Sequence, residues 1–371
     1  MRLLQLILAP RLSGAETLVK GLALAHRQAG HAVCVTSLLP AHDDFAQASA
    51  ELFAHDVACH FPPRRYGRLG RLGFLHRSLR RFAPDVVFAH ATIPAIYARA
   101  LPHRAPVVWV MHSSVDDFAE SRLLRRAERL LSRRARAVIG VSQQHVDDYV
   151  AAIGPHPALC VVPNGIDVAR FADAASAARD ASPGDARRIV QIGRYVPEKG
   201  QLQTLRAFAR LLAAEPDARL LLCGVIEDRA HHAAVVALAH ALGIASRVDI
   251  EGPLAHVAEI LGRSRVFAMP SNLEAQGIAF LEALASGIPV VANRIAAFEF
   301  ARGWPGVQLV DTADPACYGA ALAAALRVPR TPRALDGFCL DDTARRYLAI
   351  ARDALGDAPA RATRTRSRAR T

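Results

Sequence analysis

The chain is short of the features that would fix its class at once. Its six cysteines, Cys34, Cys59, Cys160, Cys223, Cys317 and Cys339, form no CxxC pair and show no metal-ligand spacing. Several sit in apolar runs such as AVCVTSL and LLLCG, which describes small core thiols in a reducing compartment rather than a zinc module or a disulfide scaffold. No stretch reaches the ~18 apolar residues of a spanning helix, so membrane contact is expected from the surface only. The opening MRLLQLILA has one basic residue and is followed at once by Pro10 and Arg11, with a helical pattern from Gly14. It reads as a buried first strand rather than a secretory signal, and the expected location is the cytoplasm. Aromatic residues are only 6% and do not interleave with the basic runs, which argues against the stacking platforms of a nucleic-acid binder.

What is present is apolar and basic. With 371 residues, 52% of them hydrophobic, the chain has material for two domains. Of the net charge of +12, residues 357–371 contribute five arginines against one aspartate, in an Ala/Thr/Arg/Ser composition expected of a disordered tail. Two further clusters carry seven arginines each: RRYGRLGRLGFLHRSLRR at 64–81 and RLLRRAERLLSRRAR at 122–136. Each is either a solvated helix face or a surface for an acidic partner such as an anionic bilayer, a phosphorylated lipid or a nucleic acid.

Short β-branched or leucine-rich runs alternate with helical patterns throughout, the signature of parallel sheets covered on both faces. Strand candidates in the first half are LLQLILA, AVCVTSL, VACHF, VVFAHA, VVWVMH, AVIGVS and ALCVVP; in the second, RIVQIG, ARLLLCGV, VDIEG, VFAMPS, PVVAN and VQLV. Two doubly wound α/β domains are expected, at 1–166 and 188–339. Between them lies a polar connection at 167–187; after them come a last helix at 340–356 and the tail. Ligands of such sheets sit beyond the carboxyl ends of the strands, so two facing domains make a cleft between them.

The strand-to-helix loops are therefore where chemistry is expected. In SNLEAQGIAFLEALASGIPVVA, residues 271–292, Glu274 and Gly277 fall in the loop and Glu282 in the first turns of the following helix. The free N–H groups of Gly277, Ile278 and Ala279 suit a phosphate or sugar oxygen. Carboxylates beside that site make sense only facing neutral hydroxyls, as an acidic residue faces ribose in dinucleotide folds, and this fits a sugar nucleotide. IGRYVPEKGQ, 192–201, brings Arg194 and Lys199 into one connection, a planar fork and a point charge suited to a diphosphate. LAPRLSGAET, 8–17, places Gly14 at a helix start; it is not GxGxxG and implies no dinucleotide. His90 and His112 end two strands, and Asn164 with Gly165 reads as a plain tight turn.

Together these loops resemble the family-4 glycosyltransferases, retaining sugar-nucleotide transferases of the GT-B architecture, from the first strand to about residue 355. The resemblance rests on E-x7-E at Glu274 and Glu282, on GRYVPEKG, and on LEALASGIPVVA, with SGAE, QAGHAVCVTS and VVPNGID in support. It implies that Arg194 and Lys199 bind the donor diphosphate with help from Gly14. Glu274 then holds hydroxyls of the transferred sugar, Glu282 the ribose, and the backbone of Gly277, Ile278 and Ala279 sugar or phosphate oxygens. His112 lines the reaction centre. It also implies no metal and no cofactor beyond a UDP- or GDP-sugar donor, with a glycan or lipid-linked acceptor of polysaccharide or lipopolysaccharide assembly. The chain departs from the family pattern at Gln276, at RIAAFEFARGW after PVVAN, and at Ser13. A sugar-nucleotide epimerase of the same layout, or a basic nucleic-acid-binding protein, is the alternative.

Overall fold

The computed structural model describes residues 1–112, 118, 121–181, 187–254 and 256–356, with the side chains of 178–181 left aside. The Arg-rich segment 357–371 therefore lies outside the described residues. Among the described residues, thirteen strands form two all-parallel sheets. In the first, β1 (Arg2–Ile7), β2 (Ala32–Ser37), β3 (Ala58–His60), β4 (Val86–His90), β5 (Val107–Met111), β6 (Ala135–Gly140) and β7 (Leu159–Val161) lie in the order β3-β2-β1-β4-β5-β6-β7. In the second, β8 (Arg188–Ile192), β9 (Arg219–Cys223), β10 (Val248–Glu251), β11 (Val266–Met269), β12 (Val290–Asn293) and β13 (Val307–Val310) lie in the order β10-β9-β8-β11-β12-β13. Central strands such as VVFAH and VVWVM are buried along their whole length, because helices cover both faces of each sheet.

Each sheet has one place where the order of winding reverses: between β1 and β4 in the first, and between β8 and β11 in the second. Loops leaving the carboxyl ends of strands at such a switch point diverge and leave a crevice. The four loops concerned begin at Leu8, Ala91, Gly193 and Pro270, and two of them carry Arg194, Lys199, Glu274 and Gly277. Ala91 holds φ 76°, a left-handed value that a residue with a Cβ adopts at a cost, and its N–H is bonded to the Val110 carbonyl at 2.9 Å.

The chain crosses between the domains twice. Within 167–187, the helix Val168–Ala181 packs on the helices Val257–Arg263 and Ile278–Ala285 of the second domain. The final helix Leu340–Leu355 returns to the first domain, packing on the helix Gly14–Gln28 and on β4 and β6. Its buried Ala344, Tyr347, Leu348 and Ala351 complete a core with Leu3, Val86, Phe88 and Val108. At about 1.5–3 kcal/mol per buried large apolar side chain, this fixes where the chain must cross back. Gly165 stands at the crossing: a Cβ there would lie 2.5 Å from Thr343 Oγ1 and 2.6 Å from the Cys339 carbonyl.

Candidate active site

The sequence R-Y-V-P-E-K-G leaves β8, turns through a short helical turn at Pro197–Lys199, and enters the helix Gln201–Leu211 at Gly200 in a left-handed conformation (φ 69°). Buried amides fix its backbone: Gln191 Nε2 donates to the Lys199 carbonyl at 2.7 Å, and Gln201 Nε2 to the Arg194 carbonyl at 2.8 Å. Between the two cations, the buried Tyr195 hydroxyl donates to the carbonyls of Leu222 and Glu251 at 2.9 and 3.0 Å. The two charged side chains therefore project from a loop that has little freedom of its own.

The next loop, after β11, docks on the first. The Asn272 N–H donates to the Glu198 carbonyl at 2.8 Å, and Lys199 Nζ donates to Glu274 Oε1 in an ion pair largely hidden from solvent. Gly277 takes φ 77°, and a Cβ there would come 3.0 Å from Phe298 Cε1, so both backbone and space call for glycine. Helix Ile278–Ala285 starts here, and its first N–H groups have no intrahelical partner by construction. Phe280 and Phe298 stack at 4.4 Å beneath it. Ile278 and Ala279 are partly buried, with Ile278 packed into the cores of both domains. Glu282 lies one turn further in, where desolvation pushes its carboxyl pKa up to about 8 against the opposing pull of Arg170.

The opposite wall comes from the first domain. Gly14 opens the helix Gly14–Gln28, and a Cβ on it would sit 3.3 Å from Ile278 Cδ1, so the two helix starts meet directly. Arg11, before them, donates from Nη1 to Glu227 Oε2 at 2.9 Å, while Arg194 Nη1 donates to the same oxygen at 2.7 Å. Desolvation pushes the Glu227 carboxyl up, but the two guanidiniums outweigh it and hold its pKa low. Glu16, hydrogen-bonded by the Ser13 hydroxyl, is buried and its pKa is raised by desolvation. His112, just beyond β5, is half-buried; its Nε2 lies 2.8 Å from His90 Nδ1, and desolvation together with His145 pushes its pKa down to about 3.

The structure thus joins Lys199 with Glu274, Gly14 with Ile278, and Arg194 with two residues that sequence reasoning passed over, Arg11 and Glu227. Glu227 lies in the strand-to-helix loop after β9, the class of loop already singled out, and that position was the available signal. Gln276 is another surprise. It is buried, and its Oε1 accepts from the Asn164 N–H at 2.7 Å, so the departure from the family pattern serves as an interdomain strut.

Two facing Rossmann-like domains with their switch-point loops converging on a cleft define the GT-B architecture. Solved structures agree. Anabaena Alr3699/HepE, in complex with UDP and glucose, superposes with a TM-score of 0.74 at 19% identity, over 96% of this chain and 95% of that one. WaaG, a glycosyltransferase involved in lipopolysaccharide biosynthesis, does so with a TM-score of 0.68 at 16% identity, over 97% and 100%.

The chain belongs to the family-4, group-1 glycosyltransferases: the family model for Glycosyltransferase Family 4 matches residues 12–170 and that for Glycosyl transferases group 1 matches residues 174–299. Among curated relatives, the GDP-mannose-dependent alpha-(1-6)-phosphatidylinositol monomannoside mannosyltransferase of Mycolicibacterium smegmatis is 32% identical over 227 residues, 57% of this chain and 58% of that protein. The chain spans about half the length of the first curated relatives it matches, from 43% to 58%.

Proposed function

We propose that the protein is a retaining glycosyltransferase that moves a hexose from a nucleoside-diphosphate sugar to an acceptor hydroxyl. The observation that carries this reading is the arginine pair across the cleft. Arg194 from one domain and Arg11 from the other reach the same Glu227 oxygen, with Lys199 one loop turn away. Cations from both walls within reach of one anionic atom suit the pyrophosphate of an activated sugar.

Charge builds on the leaving phosphate as the anomeric bond breaks, and preorganised donors act chiefly there. Gly14 and the helix start at Gly277, Ile278 and Ala279 bring backbone close to the donor. Glu274 takes hydroxyls of the transferred sugar, Glu282 the ribose, and His112 lines the reaction centre. With carboxylates serving hydroxyls rather than the anomeric carbon, the departing phosphate accepts the proton of an acceptor that attacks from the same face. Neither a metal nor a cofactor is part of this scheme. Arg194→Ala and Lys199→Ala are each expected to leave a folded protein with transfer slower by about 10²- to 10³-fold. Near-normal turnover in both would remove the leaving-group argument. Product analysis without an acceptor separates transfer from epimerisation, and a thermal-shift screen of UDP- and GDP-sugars identifies the donor.

For the acceptor, a lipid-linked anionic saccharide at the inner membrane face is favoured. A relative acts on a phosphatidylinositol mannoside and a structural neighbour is involved in lipopolysaccharide biosynthesis. The helices Arg68–Phe82 and Arg122–Leu131 support this by exposing leucines among their arginines: Leu69 is 83%, Leu123 71% and Leu130 82% exposed. Apolar tips set among cations fit the headgroup region of an anionic bilayer. Among the described residues no helix is long and apolar enough to cross a membrane. Co-sedimentation with vesicles should rise with anionic lipid content and fall with salt; indifference to both counts against the assignment.

A further inference from the structure

A file of polar side chains runs from the cleft into the first domain, and the scheme above uses only its outer member. His26 Nε2 lies 3.1 Å from the Ala344 carbonyl on the returning C-terminal helix, and His26 Nδ1 lies 3.5 Å from Gln5 Nε2. Gln5 Oε1 lies 2.7 Å from His90 Nε2, and His90 Nδ1 lies 2.8 Å from His112 Nε2. Gln5, His26 and His90 are all buried.

The direction of every bond in this file follows from its inner end. A carbonyl only accepts, so His26 Nε2 bears the proton. Desolvation pushes the His26 pKa down to about 4, and desolvation with the neighbouring rings holds His90 well below its usual range, so each ring has a single N–H near neutral pH. His26 Nδ1 is then a lone pair that takes the Gln5 amide N–H. That orients Gln5 Oε1 toward His90, whose Nε2 must donate to it. His90 Nδ1 is left as a lone pair and receives the N–H of His112. Turning the Gln5 amide round would require both nitrogens of the buried His26 to be protonated.

We infer that this file is a tautomer clamp: the Ala344 carbonyl, acting through the positioning residues His26, Gln5 and His90, keeps the His112 proton on Nε2 and leaves Nδ1 an obligatory acceptor. The choice has chemical content. An acceptor nitrogen takes the O–H of a ligand hydroxyl and rejects a phosphate oxygen, which has no proton to give. That a sugar supplies the hydroxyl rests on the transferase reading; the tautomer itself does not.

The test uses the free full-length chain labelled with 15N-histidine, with long-range 1H–15N correlations recorded at neutral pH. His90→Gln, His112→Gln and His26→Gln assign the signals. The expected result is a protonated Nε2 and an unprotonated Nδ1 in all three rings of the wild type. In Gln5→Met, which cuts the file, His26 keeps that state while His90 and His112 become tautomer mixtures. A wild-type His112 found as the Nδ1–H tautomer or as imidazolium overturns the inference, and so does a folded Gln5→Met variant in which His90 and His112 are unchanged. The wild-type spectrum decides even if Gln5→Met fails to fold. Failure to bind any UDP- or GDP-sugar, with the tautomers as expected, overturns the transferase reading alone.

Discussion

Replacing Glu282 by Gln isolates the consequence of placing a carboxyl in the desolvated start of the helix Ile278–Ala285. Its folded-state pKa is about 8, against an ordinary value of 4.5. The folded protein therefore retains a proton that the unfolded chain has released, over the whole interval between those values. Stability from this group is full below the lower value and is lost as pH rises toward the upper one, by about 1.4 kcal/mol per pH unit. Urea unfolding of the wild type at about pH 5.5 and about pH 7.5 should thus show a fall of about 2–3 kcal/mol that Glu282→Gln lacks. The same proton bears on binding. A vicinal diol needs an ionised carboxylate to accept both of its hydrogen bonds. UDP or GDP should therefore bind more tightly as pH rises through neutrality, by up to about tenfold per unit, with release of a proton measurable by calorimetry in buffers of different ionisation enthalpy. Glu282→Gln should bind more weakly and without that dependence. Parallel stability curves for the two proteins, together with pH-independent nucleotide affinity in the wild type, would refute the reasoning.

Substitutions at two further positions probe the joints between the domains. Gly165→Ala drives a methyl into the Thr343 hydroxyl and the Cys339 carbonyl, and should lower the urea midpoint by the equivalent of about 1–3 kcal/mol or more; an unchanged midpoint would mean that the C-terminal crossing does not pass there. Gln276→Leu leaves the buried Asn164 N–H without its acceptor and should cost about 1–3 kcal/mol. An unchanged midpoint in urea unfolding would remove the strut.

The fold was legible because both faces of each sheet are covered. Central strands buried on both sides are written as short continuous apolar runs, and all thirteen β-branched or leucine-rich runs read as strand candidates are strands. The loops carrying Arg194, Lys199, Glu274 and Gly277 were legible for a related reason: parallel topology puts strand-to-helix connections at one end. Pairings across large sequence separations were not legible. Arg11 and Glu227 are 216 residues apart, and nothing in either local pattern names the other. Asn164 and Gly165 looked like a plain turn because their partners, Gln276 and Thr343, are supplied by distant segments. The helix Val168–Ala181 was hidden in a stretch rich in Ala, Ser and Asp, since small residues let it pack closely on two neighbours without a long apolar stripe.

The ion pairs at the cleft differ in how readily a ligand can replace them. Arg11, Arg194 and Glu227 are 26%, 38% and 37% exposed, so each of those pairs is worth about 0–1 kcal/mol and yields easily to a phosphate offering stronger charge-assisted bonds. Lys199 and Glu274 are only 16% and 10% exposed. Separating them would strand two enclosed charges, a far larger cost. An ammonium has three protons and a carboxylate two oxygens. Lys199 is therefore expected to keep Glu274 while turning another proton to the diphosphate, and Glu274 to keep Lys199 while its second oxygen takes a sugar hydroxyl. The enclosed pair then acts as one unit holding both halves of the donor, and the exposed arginines form the replaceable side of the same clasp.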